Sequence, residues 1–191
     1  MGPPPSIDPD RSNLKRVKSP NNTAAGSCTA CFEDRWSRDV WGPSAWRIVH
    51  WLALHEPARM LPSPAAWFAA LANMLPCAEC QEHLRENLAY LPPPTSPGRL
   101  FAWSVRLHNR VNGQLGKPRV SLAEARQLHA SSVLTKGQRR PFCASVIAAL
   151  PETSPPSKLR ESTRLMFAAL GVQLGESCSR SAVAKAVRLI N

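Results

Sequence analysis

Apolar residues recur along this chain at helical intervals, and nowhere in the strict alternation that a half-buried strand requires. Trp46, Val49, His50 and Ala53 share one helical face. The stretch Trp41-Gly42-Pro43 is expected to open that helix, with Pro43 at the first helical position, where its missing N–H costs nothing. The helix should run to about Glu56 and end at Pro57. Ser63-Pro64 predicts a second helix over 64–75, carrying Trp67, Phe68, Leu71 and Leu75. Pro76 closes it and starts a third, over 77–90. After Pro92-Pro93-Pro94, a fourth helix over 97–115 lines up Leu100, Trp103, Leu107, Val111 and Leu115, and Gly116 supplies its C-terminal cap. Ser121 and Glu124 have the spacing of a capping box for a fifth helix near 122–131. Three further helices follow over 140–150, 158–170 and 181–190, separated by Pro155-Pro156 and by Gly175. The expected class is all-α.

Composition divides the 191 residues unevenly. All six Trp fall between Trp36 and Trp103, so the core and any planar ligand belong there. We divide the chain into a flexible tail over 1–35, a main domain over 36–131 and a helical extension over 132–191. The net charge of +11 invites a nucleic-acid reading. The excess, however, is mostly C-terminal: eleven Lys/Arg against four Asp/Glu over 119–191. It is scattered, with no dense basic run and no aromatic–basic stripe, which argues for a solvated surface instead of a nucleic-acid partner. No window of 18 apolar residues exists, so no membrane span is expected. The N-terminal stretch has no apolar core of a secretory signal.

Chemistry concentrates in the cysteines. Cys28/Cys31 and Cys77/Cys80 form two C-x-x-C pairs; Cys143 and Cys178 stand apart, and sequence leaves open whether they pair with each other or across a dimer. Four thiolates suit tetrahedral zinc, and a zinc-stapled helical binding module is the alternative reading. Against it, the interval between the pairs is a helical domain and not a short knuckle. Cys77 and Cys80, at i and i+3 in the first turn of a helix, bring their Cα atoms within reach of a disulfide. A helix N-terminus also favours the thiolate, which is the attacking species in exchange.

A dithiol needs an electron sink before it can perform net oxidation. Trp46 and His50 lie one turn apart on the first helix, His108 and Asn112 one turn apart on the fourth, with Asn109, Val111 and Lys117 close by. Flat rings, ring nitrogens, amides and a terminal cation are what an aromatic dinucleotide requires. No G-x-G-x-x-G is present, which removes a Rossmann site.

Three ordered blocks carry a resemblance: Trp41-Gly42-Pro43-Ser44-Ala45-Trp46 followed by His50; Pro76-Cys77-Ala78-Glu79-Cys80 followed by His83; and His108-Asn109-Arg110-Val111-Asn112 followed by Leu115-Gly116-Lys117-Pro118. Over roughly 41–118 the chain resembles the Erv/ALR sulfhydryl oxidases. The resemblance implies a four-helix bundle with a short fifth helix, holding FAD. It implies that Cys80 is the flavin-proximal thiol and Cys77 the distal one, and that Gly42, Trp46, His50, His108, Asn109, Val111, Asn112 and Lys117 contact FAD. It also implies disulfide formation in protein dithiols, oxygen as acceptor with hydrogen peroxide as product, and a homodimer through the first helices. Relatives carry a second pair on a mobile segment, so Cys28 and Cys31 are expected to form a shuttle disulfide. This chain departs in having His55 where many relatives have Tyr, and Val105 where cellular members have a structural cysteine. Its Trp-Gly-Pro opening looks like viral and algal members, which points to host cytoplasm or virion, with the mitochondrial intermembrane space as the alternative.

Overall fold

The structure is a computed structural model that describes residues 37–176 and 178–189; Cys28, Cys31 and Trp36 lie outside the described residues. Among the described residues there are eight α-helices and no strand: α1 (Arg38–His55), α2 (Pro64–Met74), α3 (Ala78–Tyr90), α4 (Pro97–Gln114), α5 (Leu122–Leu128), α6 (Lys136–Ala149), α7 (Ser157–Ala169) and α8 (Arg180–Leu189). No described helix is long and apolar enough to cross a membrane. The all-α expectation therefore holds, and most boundaries fall within a few residues of the predicted ones.

The start of α1 differs. It begins at Arg38, so Pro43 sits inside the helix and not at its first position. Proline there removes the N–H that would bond the carbonyl of Asp39. The site is close enough to the N-terminus that only this one interior bond is lost. Elsewhere the caps follow the sequence. The Ser63 hydroxyl accepts from the Ala66 N–H at 3.2 Å at the start of α2. The Ser121/Glu124 box is closed in both directions, by bonds of 2.8 and 3.2 Å. Thr135 and Gln138 form a second box that starts α6 four residues earlier than expected. Gly116 takes φ +65°, the left-handed conformation that lets α4 end and the chain turn away.

Packing is continuous from Trp41 to Val183, so the extension shares the core of the main domain. In the bundle, Phe68 meets Trp67 edge-on at 5.1 Å and Trp103 at 4.7 Å, all three fully buried. Each such pair adds about 1 kcal/mol beyond its buried area. α6 lies along α1 and α7 along α2. The α1–α6 seam joins Trp41 to Phe142, ring centroids 6.2 Å apart. Ser44 pins it: its hydroxyl donates to the Gln138 carbonyl at 2.6 Å and accepts from the Phe142 N–H at 3.3 Å.

If the extension belongs to the same cooperative core, truncating Phe142 should destabilise the whole molecule. Phe142→Ala is expected to cost about 3–5 kcal/mol in urea unfolding followed by circular dichroism, within a single transition. An early, separate transition for 132–191 would show two independent units.

Candidate functional site

Polar residues that interrupt the apolar stripes converge on one place. A cavity of about 660 Å³ opens between α1, α3 and α4, and its wall includes Trp41, Gly42, Trp46, His50, Cys80, His83, His108, Val111, Asn112 and Lys117. Its size falls within the range of small-molecule and cofactor sites.

The aromatic wall is layered. The rings of Trp46 and His108 stack at 4.1 Å and 8° between planes. His50 lies beside them, 5.2 Å from His108 and 5.7 Å from Trp46. His50 Nε2 is 2.9 Å from His108 Nδ1, and His50 Nδ1 is 2.9 Å from the Ser104 hydroxyl. His129, at the end of α5, brings a fourth ring to 4.9 Å from His50. The His55 ring meets the His129 carbonyl at 2.9 Å and so holds that end of α5 in place. Burial is the main reason the imidazoles stay neutral: His50 is lowered to about 3 and His108 to about 4, helped at His50 by the competing His108 and His129 rings and at His108 by the His129 ring and the Lys117 ammonium. His129 is also lowered, by burial first and then by Arg47 and His55.

Charge is supplied separately. Arg38, Arg47 and Lys117 reach the cavity, against one carboxylate, Glu86. Lys117 Nζ lies 3.6 Å from an Asp39 oxygen, with both side chains mostly exposed, so the contact is weak. Trp41 is buried and its indole N–H has no hydrogen-bond partner. The indole N–H groups of Trp51, Trp67 and Trp103 share that state, so it is a property of the aromatic core. Stacked rings, an excess of cations and a mostly apolar wall fit a flavin dinucleotide. Gly42 adds open wall, since a Cβ there would meet only Arg38 Cγ at 3.8 Å.

The dithiol enters at the N-terminus of α3. Cys77 is the N-cap, and its sulfur accepts from the Cys80 N–H at 3.3 Å. Cys77 is buried, whereas Cys80 is half-buried and borders the cavity. Around the pair, Ala78, Glu79 and Glu82 are exposed and Gln81 is half-buried. Cys77 is buried because the capping geometry turns its sulfur inward. α3 itself is held on α4 by Asn87, buried at 1 % exposure. The Asn87 amide donates to the His83 carbonyl and Gln114 at 2.8 and 3.0 Å and accepts from Arg110 at 2.6 Å.

Most site residues expected from the sequence meet at this cavity. Asn109 does not line it: its amide donates to the Val120 carbonyl at 2.7 Å and accepts from the Val120 N–H at 2.9 Å, clamping the chain after α4. Asn112 lines the wall while donating to the Pro118 carbonyl at 3.0 Å. Sequence reasoning missed Trp41, Ser104 and His129. Ser104 leaves a trace, as a polar residue one turn before His108 on an apolar face; His129 leaves none. Cys143 and Cys178 are buried thiols, not a disulfide, and burial pushes Cys143 up to about 11. No group of three metal-ligating side chains exists among the described residues.

The depressed histidines make stability pH-dependent in a defined sense. Above about pH 6.5 they are neutral in both folded and unfolded chains and contribute no slope. As pH falls from about 6.5 towards 4, the unfolded chain binds protons that the folded one refuses, so stability is lost. Denaturant titrations at pH 7 and 5 should show this loss, and His50→Gln should flatten the slope. An unchanged slope in the variant would mean that His50 titrates normally.

Comparison with known proteins identifies the family. The sequence model of the Erv1 / Alr family matches residues 43–130. An African swine fever virus protein named FAD-linked sulfhydryl oxidase is 29 % identical over 99 residues, spanning 49 % of this chain and 83 % of the viral one. Protein 096R of Invertebrate iridescent virus 3, named for the same activity, is 32 % identical over 124 residues, 61 % of this chain and 76 % of its own. The rice FAD-linked sulfhydryl oxidase ERV1 is 35 % identical over 82 residues, 40 % and 42 % of the two chains. No solved structure matches. By the family model over 43–130 and the 32 % identity to 096R across 76 % of that protein, the chain belongs to the Erv1 / Alr family.

Proposed function

We propose that the protein oxidises dithiols of protein substrates through Cys77 and Cys80, with FAD held in the α1–α3–α4 cavity and oxygen as the final acceptor. Its relatives are FAD-linked sulfhydryl oxidases, and the chain is a thiol oxidase with FAD as its cofactor. The observation that carries the electron path is the asymmetry of the pair: Cys80 borders the cavity and Cys77 does not. Trp46 and His108 would hold the ring system by stacking, assisted by His50, Val111 and Asn112, while Arg47 and Lys117 would neutralise the diphosphate. Gly42 would contribute open wall, and Asn109 would act through the loop it clamps.

With Cys77 and Cys80 joined as a disulfide, a substrate thiolate attacks the Cys77 sulfur and Cys80 leaves as a thiolate. The N-terminus of α3 favours a thiolate at this end of the helix, and the Cys80 N–H is directed at the Cys77 sulfur. The second substrate thiol then attacks the mixed disulfide. The substrate disulfide forms, Cys77 is released as a thiol, and two electrons remain on the pair. FAD supplies a two-electron acceptor that oxygen can regenerate, giving hydrogen peroxide. Because Cys77 is buried, attack on it requires an extended substrate segment or a small carrier. The Cys28/Cys31 pair, outside the described residues, would serve as that carrier.

A homodimer through the first helices, which the resemblance implies, would have to use surfaces of α1 and α2 not already covered by α6 and α7. The compartment proposed is host cytoplasm or virion, with the mitochondrial intermembrane space as the alternative; viral and plant relatives fit either.

The protein should purify yellow and consume oxygen with dithiothreitol. Cys80→Ser should abolish turnover with FAD retained. Cys77→Ser should also stop turnover, but leave a Cys80 thiolate that gives a long-wavelength absorption band. If the band appears in Cys80→Ser instead, the proximal and distal roles are reversed. A colourless, zinc-loaded preparation that FAD cannot reconstitute would favour the zinc-stapled module.

The tail makes a separate prediction. The nine residues between Cys31 and Trp41 span at most about 30 Å when extended, enough to cross a small domain. Cys28→Ser with Cys31→Ser should leave dithiothreitol oxidation nearly intact and slow oxidation of a reduced protein substrate several-fold. Equal rates on the protein substrate would remove the shuttle.

A further inference from the structure

Ser104 is fully buried on α4, one turn before His108 and facing His50 of α1. A buried hydroxyl on an apolar stripe is costly unless its hydrogen bonds are made. Ser104 makes two, and counting protons fixes their directions. Its oxygen lies 2.7 Å from the Phe101 carbonyl oxygen. Two oxygens at that separation repel unless a proton lies between them, and only the hydroxyl has one to give. The hydroxyl is then left with lone pairs alone for His50 Nδ1 at 2.9 Å, so His50 must carry its proton on Nδ1.

A neutral His50 has a bare Nε2. His108 Nδ1, 2.9 Å away, must therefore donate to it. Neutrality follows from the surroundings. His50 is 3 % exposed, its ring neighbours are Trp46, Phe101, His108 and His129, the Lys117 ammonium opposes a proton on His108, and a proton on His129 would oppose one on either ring. Nothing there would stabilise an imidazolium. The donation runs in one direction, from His108 to His50 to Ser104 to the Phe101 carbonyl. With His108 neutral too, its Nε2 is left as a lone pair, with no hydrogen-bond partner among the described residues.

We infer that Ser104 is a positioning residue that sets the tautomers of His50 and His108, so that His108 offers the cavity a hydrogen-bond acceptor. This rests on the cavity being the FAD site. The matching group is an N–H donor, the ring imide of the flavin or the exocyclic amine of the adenine, and not a phosphate oxygen, which a bare nitrogen would repel. Ser104 touches no cofactor; it acts through the histidine pair.

The test is nitrogen-15 NMR of histidine-labelled, FAD-bound protein at pH 7. Wild type should show His50 and His108 both protonated on Nδ1 and bare on Nε2. The opposite tautomers in either ring would overturn the inference. Ser104→Ala should lose the Nδ1 preference, shift the flavin absorption spectrum and weaken FAD retention several-fold, while Ser104→Thr, which keeps the hydroxyl, should restore all three. Unchanged tautomers in Ser104→Ala would show that the hydroxyl does not set them. Should Ser104→Ala fail to fold, the wild-type tautomers and the Ser104→Thr spectrum still decide. Protein that binds no FAD would fail the proposed function, yet its histidine tautomers remain measurable and speak to Ser104 alone.

Discussion

The placement of α1 between α4 and α6 is the constraint on which the rest of the molecule depends. A helix packed on two sides can afford few polar residues, and each must find a partner in a definite direction. Ser44 meets α6 through the Gln138 carbonyl and the Phe142 N–H. His50 meets α4 through Ser104 and His108. These bonds fix the rotation of α1 about its own axis, because a helix turned by one residue, about 100°, would bury both side chains without partners. With the rotation fixed, Trp46 lies against His108 and the cavity wall is assembled. The wall is thus a consequence of packing on two faces, and the extension contributes to it from a distance through α6.

The dithiol depends on a different set of contacts. In the proposed path its reactivity needs the N-terminus of α3, and its usefulness needs that N-terminus to stand at the cavity edge. Asn87 provides the second condition by tying α3 to α4 through Arg110 and Gln114. Gln81 ties the preceding loop by donating to the Leu75 carbonyl at 2.8 Å. The two cysteines then differ in surroundings despite being three residues apart. One caps the helix and is buried, and the other, one turn on, borders the cavity. An i, i+3 pair at a helix start supplies that asymmetry without any further device.

How much of this was legible in the sequence follows from the range of each interaction. The helices and most caps rest on contacts within four residues, so proline, serine and apolar spacing were enough to find them. Pro43 misled because proline is tolerated slightly inside a helix as well as at its first position, and the residues before it carry no breaker. The pairing of Trp46 and His50 with His108 was visible as two polar-aromatic turns, since each sits on an otherwise apolar stripe. Asn109 was read as a ligand contact on its place in a motif. The structure spends its amide on Val120, a partner 11 residues away that no local pattern announces. His129 and Trp41 belong to the wall through tertiary packing alone, and the burial of Cys77 depends on a side-chain rotation that spacing does not encode.

The site also separates two tasks that one residue type might have combined. A dinucleotide presents flat rings and a doubly charged diphosphate, and a cationic histidine would serve the second while spoiling the first through the cost of burying its charge. Here the histidines are buried among aromatic rings and kept neutral, so they stack and exchange directed hydrogen bonds. The permanent cations Arg38, Arg47 and Lys117 stand at the wall on long side chains that reach solvent. Above about pH 6.5 the buried rings of His50 and His108 therefore stay neutral while the dithiol works beside them. A thiol oxidase gains from this, because thiolate supply already depends on pH, and a second titration in the same cavity would couple cofactor retention to it.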